Sequence, residues 1–284
     1  MSRRSACTRR SAAVAVALCI FVPGIGTADV HIESSPDTAE LIGLVRQELV
    51  GLPPRVAGDA RVAIGAAAFR TAMDNDDGRP IIAAYLSSTE FTAALGNRPR
   101  RPNVTAVFSN PDPLDELALA RAILSHARIA VFDSPAVHPL VPRLVERGVT
   151  AIPVSPNEAV DALLRGADPF DVILVLPDPS IFNSANIGHV VRSLYQQRKV
   201  LVGYSDTLTR VGSLASVYPS QAGIARGVRD VLEQYAARHG MPDPLFVSDI
   251  DVSLNERLAR SLNIVLPERA DVVRAVRSKR ELPP

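Results

Sequence analysis

"FDVILVLPDPSIFN", residues 170–183, holds one unbroken apolar run, Val172 to Leu176, that stops at Pro177-Asp178-Pro179. A strand without a polar side chain on either face must be buried on both, and such strands belong to parallel sheets covered by helices. The carboxylate between two prolines then has two readings. Pro and Asp are ordinary turn formers, and Asp178 can cap a helix beginning near Ser180. Open parallel sheets also bind ligands at the carboxyl ends of their strands, which is where Asp178 stands.

The same alternation runs in both directions from this strand. Upstream, Val30–Glu33, Val62–Gly65, Pro80–Leu86, Val104–Phe108, Ile129–Asp133 and Ile152–Val154 read as short buried strands. Between them, Ser35-Pro36 opens a helix with Leu41, Leu44, Val45 and Leu49 on one face, and Ala66–Met73 is a small-residue helix. Asp112-Pro113 caps another, and Ser155-Pro156-Asn157-Glu158 forms a capping box closed by Gly166. Downstream, Ile187, Val190, Val191 and Leu194 recur at helical spacing, and Val200–Tyr204 is a further strand. Ile224, Val228, Val231 and Tyr235 mark a longer helix ended by Gly240, and Ser253 with Glu256 offers a second capping box. Strands alternating with helices predict an α/β fold with parallel sheets, and helical crossovers send ligand sites to the strand ends.

Arg3, Arg4, Arg9 and Arg10 precede a short apolar stretch, Ala12 to Val22, and Gly26-Thr27-Ala28 offers a cleavage site, so residues 1–28 read as a signal peptide. Both cysteines, Cys7 and Cys19, lie in that leader, which leaves the mature chain without disulfides, thiol catalysis or cysteine metal sites. Of 31 Lys and Arg, removing those four leaves 27 against 30 acids, a net charge of −3, which is no surface for nucleic acid. His31, His126, His138, His189 and His239 are dispersed, without metal spacing or a nucleophile-elbow neighbourhood. Asp249 and Asp251 share one face of an expected strand, but no further acid or His joins them, so solvated edge positions describe them best. No phosphate loop or dinucleotide fingerprint occurs outside the leader. The residues assemble no catalyst of the usual kinds, so the chain is expected not to be an enzyme, with no cofactor and no metal.

Four stretches in order resemble one family. "RPNVTAVFSNPDPLDELALARAIL" is similar to its Pro-x-Asn-Val-Thr segment and the helix after it, and "FDVILVLPDPSIFN" to its aspartate-tipped strand. "RKVLVGYSDTLTRVGSLASVY" is similar to the stretch leading to a Gly-Ala-Leu-Ala motif, and "VSLNERLARSLNIVLPE" to its closing signature, with Asn263 where that signature has Gly. From about Val62 to Val276 the chain resembles the ABC transporter substrate-binding proteins of the group with tryptophan- and tyrosine-associated components.

The resemblance implies a type I periplasmic binding protein fold: two Rossmann-like lobes, a hinge, and a ligand cleft between them. Lobe I would be 29–108 with 207–246, and lobe II 109–206 with 247–284, the chain crossing near Phe108-Ser109-Asn110 and near Tyr204-Ser205-Asp206. The implied function is that of a periplasmic solute-binding component delivering a small, amino-acid-like ligand to an ABC permease in the inner membrane. A periplasmic ligand sensor coupled to a membrane signalling protein is the alternative. In the cleft, Asp178 would receive the amine of the ligand, Ser87 and Ser88 would donate to its carboxylate, and Ser205 and Asp206 would line the hinge side.

Overall fold

The computed structural model describes residues 30–34, 38–53, 60–96, 98–155, 160–238 and 240–280. The expected leader, the Ser35-Pro36 cap, His239 and the capping box at Pro156–Glu158 lie outside them. Among the described residues eleven strands fall into two sheets, and each sheet has helices on both faces.

The first sheet contains β1 (His31–Ser34), β2 (Arg61–Ile64), β3 (Ile81–Leu86), β4 (Val104–Phe108) and β10 (Leu245–Phe246), all parallel, in the order β1-β2-β3-β4-β10. Its side chains divide by the period of two. Ile82 and Ala84 face α1 (Ala39–Leu49) and α9 (Gln221–Arg238), while Ile81 and Ala83 face α2 (Gly65–Asp74) and α3 (Ser88–Leu95). On the second face Phe69, Phe91, Phe108 and Phe246 form a chain of ring contacts, with successive centroids 5.1, 5.7 and 5.0 Å apart, that fixes α3 against the carboxyl end of β4.

The second sheet has the order β11-β9-β8-β7-β5-β6 and is parallel except for its β11–β9 edge pair. Its strands are β5 (Ile129–Asp133), β6 (Thr150–Pro153), β7 (Val172–Val175), β8 (Val200–Gly203), β9 (Ala215–Pro219) and β11 (Ile250–Leu254). Every residue of β7 is buried, as its apolar run requires. Val172 and Leu174 pack towards α4 (Pro113–Ile123), α5 (Val141–Val145), α10 (Glu256–Leu262) and α11 (Arg269–Arg280). Ile173 and Val175 pack towards α6 (Val160–Gly166), α7 (Ile187–Gln196) and Leu208 of α8 (Asp206–Val211).

The chain passes between the sheets after Phe108, at Ser220 and after Phe246. The segment 207–246, expected in lobe I, is therefore divided. Asp206–Pro219 stays with the second sheet, because β9 pairs with β8 and β11, and only Gln221–Phe246 returns to the first. Tyr204-Ser205-Asp206 is accordingly the start of a helix and not a crossing. The crossings at Ser220 and after Phe246 are fastened to each other. Ser220 N donates to the Asp249 carbonyl at 3.1 Å and its hydroxyl to the Asp249 carboxylate at 2.8 Å, while Arg226 reaches the same carboxylate at 2.6 Å.

Two helix ends also differ in detail from the sequence reading. Asn255, not Ser253, caps α10, accepting from Leu258 N at 2.9 Å, because the Ser253 hydroxyl inside β11 is committed to Thr209 at 2.8 Å. Asn263 ends that helix in the left-handed region at φ 57°, a conformation Asn tolerates better than other side chains, which accounts for Asn at a position where Gly is the usual choice.

The packing of α9 on the first sheet makes a direct demand. A Cβ on Gly227 would lie 2.8 Å from Val107 Cγ1, whereas one on Gly43, mid-way along α1, would meet nothing within 4 Å. Gly227→Ala is expected to lower unfolding free energy by about 1–3 kcal/mol through overpacking. Gly43→Ala is expected to raise it by about 0.5–1 kcal/mol through helix propensity. Urea denaturation of both variants checks the pair, and equal effects at the two positions would refute the close approach.

Candidate functional site

The loops that follow the carboxyl ends of both sheets face each other. The direct evidence is a hydrogen bond between lobes: Thr89, after β3, donates from its hydroxyl to the Pro177 carbonyl, after β7, at 2.6 Å. The loops around this bond form the candidate cleft.

Asp178 sits within that junction and is 1% exposed. One carboxylate oxygen accepts from the hydroxyl of Ser134, which follows β5. The other accepts from Ser180 N at 2.8 Å and the Ser180 hydroxyl at 2.6 Å. Its carbonyl accepts from Phe182 N at 2.9 Å. These are the partners of a turn residue that also staples two neighbouring strand ends, and all belong to its own lobe. The apolar strand can end on a buried carboxylate because the serines satisfy it.

Ser87 is the N-cap of α3 in a complete capping box. Its hydroxyl accepts from Glu90 N at 3.2 Å and donates to Glu90 Oε2 at 2.9 Å, while its own backbone N–H donates to the same oxygen at 2.7 Å. Ser88 donates its backbone N–H to Asn110 Oδ1 at 2.8 Å, but its hydroxyl, in a residue 7% exposed, has no partner. Ser205 caps α8 through a 3.4 Å contact from Leu208 N, and Asp206 pairs with Arg210 one turn on. The five expected residues thus all follow strand ends, Ser87, Asp178 and Ser205 on the loops and Ser88 and Asp206 as the first residues of α3 and α8. Ser88 and Asp178 are close to the interlobe contact, with Thr89 and Pro177 as their chain neighbours.

Sequence reasoning missed the residues that complete this region. Thr89 makes the interlobe bond. Asn110 orients Ser88. Glu116, in the first turn of α4, is fully buried with both carboxylate oxygens unpartnered. Burial, reinforced by Asp115 and Asp112, holds its pKa well above the ordinary glutamate value. Tyr204 follows β8, and its phenol is pushed up to about 12 by burial first and then by Glu116, Glu90 and Asp178, acids of both lobes. Tyr85 is a further outlier: it takes φ 57° at a register shift in β3, and its hydroxyl donates to the Gln221 carbonyl at 2.8 Å, where α9 begins. Strain of this kind in a non-glycine residue costs of order 1–3 kcal/mol, and here it sets the direction of the Ser87–Thr89 loop. Only the Ser87-x-x-Glu90 spacing carried a legible signal, that of a helix cap.

Among the described residues no group of three or more His, Cys, Asp or Glu is arranged to hold a metal ion, and no helix is long and apolar enough to cross a membrane. Asp249 and Asp251 are engaged by Arg226 and Arg269 respectively.

No protein-family model and no curated protein matches the chain. Solved structures do. A conserved domain protein from Vibrio cholerae aligns over 84% of this chain and 82% of its own, at 18% identity and a TM-score of 0.55. The ABC domain in complex with L-Trp from Streptococcus pneumoniae aligns over 85% of each chain, at 19% identity and a TM-score of 0.52. A ligand-free, open substrate-binding protein with adhesive properties from Clostridium difficile aligns over 82% of this chain and 80% of its own, at 15% identity and a TM-score of 0.55. With its two sheets and three crossings, the chain has the two-lobed α/β fold of type I periplasmic binding proteins.

The staple at Asp178 is measurable. Asp178→Ala is expected to lower unfolding free energy by about 2–3 kcal/mol and Ser134→Ala by about 1–2 kcal/mol. A double-mutant cycle in urea should give a coupling of at least about 1 kcal/mol. Additive effects would show that the two side chains do not share a hydrogen bond.

Proposed function

We propose that the protein is an extracytoplasmic solute-binding component of an ABC-type importer. It takes a small polar molecule between its lobes and presents the closed complex to a permease in the inner membrane. The observation that carries this reading is the Thr89–Pro177 hydrogen bond, which joins the carboxyl ends of two parallel sheets across the space where such folds hold ligands. The apolar leader at residues 1–28 supports export to the periplasm, where a component of this kind works. The solved structures of the same fold include one in complex with L-Trp and one named as a substrate-binding protein.

Roles divide within the proposed cleft. Ser88 offers a buried hydroxyl without a partner and so contacts the ligand. Asp178, Ser87 and Ser205 hold their loops in place, and Asp206 lies at the rim beside Arg210. Thr89 stabilises the closed arrangement.

Native mass spectrometry of protein purified from its own periplasm should show a small-molecule adduct, and the stripped protein should rebind it in titration calorimetry. Thr89→Val removes the interlobe bond and should weaken that binding by roughly fivefold, the equivalent of about 1 kcal/mol. A protein that carries no adduct and binds nothing from periplasmic extract would overturn the reading.

A further inference from the structure

Among the described residues, the loops around the Thr89–Pro177 contact carry acids and no Lys or Arg. Residues 87–90, 109–116, 134–137, 177–180 and 204–206, which follow β3, β4, β5, β7 and β8, include Glu90, Asp112, Asp115, Glu116, Asp178 and Asp206 but no Lys or Arg. The arginines that reach this set come from outside it. Arg143 holds Asp112 at 2.9 Å with a side chain 48% exposed, and the Arg210 side chain on Asp206 is 79% exposed.

An anion without a basic partner would turn to a helix N-terminus. Here several of those donors are already taken. At α3 the Ser88 N–H is taken by Asn110 and the Glu90 N–H by Ser87, with the Glu90 carboxylate folded back over the first turn. Asp112 accepts from Leu114 N at 3.0 Å at the head of α4, and Ser205 caps α8. A ligand carboxylate placed between the lobes would therefore meet acids and no Lys or Arg of these loops.

Two buried groups ask for the opposite charge. Glu116 is 0% exposed with neither oxygen paired, and the Ser88 hydroxyl is buried and unpaired on the facing lobe. Asn110, bonded to Ser88, leads directly into the helix that carries Glu116. Orphaned buried oxygens are rare in folded proteins, and these two lie by the interlobe contact: Ser88 precedes Thr89 in the chain, and Glu116 acts on the same Tyr204 phenol as Glu90 and Asp178. We propose that the cleft takes a small primary amine that lacks a carboxylate, its ammonium seated between Glu116 and the Ser88 hydroxyl. This rests on the interlobe binding reading given above. It keeps the amine of the amino-acid expectation and replaces the carboxylate, and it moves the amine from Asp178 to Glu116.

The electrostatics give the pairing a signature. The charged groups acting on Glu116 are Asp115 on its own helix and Asp112 at that helix's N-cap, and the titratable Tyr204 phenol interacts with it from the β8 loop. Burial and those two acids favour the protonated form of the empty carboxyl. An arriving ammonium supplies the missing positive charge, so the carboxyl ionises and releases its proton to solvent. The folded state of the empty protein thus holds a proton that the unfolded chain gives up above the ordinary glutamate pKa. Stability contributed at Glu116 falls as pH rises from there.

The test uses the mature protein, with tryptamine and putrescine as amine probes, indole-3-propionate as the matching carboxylate, and L-tryptophan carrying both groups. Calorimetry in two buffers of different ionisation enthalpy should show an amine binding with release of up to about one proton, L-tryptophan binding more weakly than tryptamine, and indole-3-propionate not binding. Glu116→Gln should weaken the amine tenfold or more and abolish proton release, while raising the melting temperature of the empty protein at neutral pH, so that lost binding cannot be put down to misfolding. Ser88→Ala should weaken the amine severalfold with its melting temperature held. Tighter binding of either carboxylate than of tryptamine, amine affinity indifferent to Glu116→Gln, or no amine binding at all would overturn the proposal. In each of those cases a periplasmic adduct on native protein leaves the importer reading intact, and its absence removes that reading as well.

Discussion

The hydrogen bond from the Thr89 hydroxyl to the Pro177 carbonyl is the point on which the molecule turns, because it joins two sheets that otherwise have separate cores. A parallel sheet ends in a row of loops whose backbone groups must be satisfied by caps, by side chains or by a ligand. Facing two such rows towards each other concentrates polar groups in one layer. Most are satisfied locally, Asp178 by Ser134 and Ser180, Ser87 by Glu90, and Ser88 N–H by Asn110. The few that are not stand out against this thrift, and they define what the layer can receive.

Rigidity behind the layer makes that local accounting meaningful. The phenylalanine chain from Phe69 to Phe246 holds α3, and the strained Tyr85 ties β3 to the start of α9. Asp249 fastens two of the crossings through Ser220 and Arg226. Each lobe is thereby braced internally, and the loops of the interlobe layer are held by their own sheets.

Much of this was legible in the sequence, and the failures have physical causes. The run Val172–Leu176 declared a strand buried on both faces, and Asp112-Pro113 marked a helix start, because each depends on a local rule. Strand β9 escaped notice because Ser216 and Ser213 break its apolar pattern. Their hydroxyls are buried but satisfied by each other at 3.1 Å and by Thr209 at 2.8 Å, a network visible only once α8 folds over the strand. That omission placed the second crossing at Tyr204–Asp206 instead of Ser220. Ser87 was assigned to a ligand although Glu90 stands three residues on, the spacing of a capping box. Glu116 could not be found at all. Within "LDELALAR" it has the look of a solvated helix position, and only the packing of α4 against the second sheet buries it.

The central claim is that the carboxyl ends of the two sheets close on a ligand. The mature chain's expected lack of cysteine makes this directly measurable, since Ala93→Cys on α3 and Ala185→Cys ahead of α7 place one exposed spin label on each lobe. Pulsed electron resonance on this pair, with and without the ligand recovered from periplasmic protein, should show the interlobe distance distribution narrow and shorten on binding, with the Thr89→Val background shifted to longer distances. A distribution unchanged by saturating ligand would contradict the account, because the two lobes would then be a fixed frame and not a closing cleft.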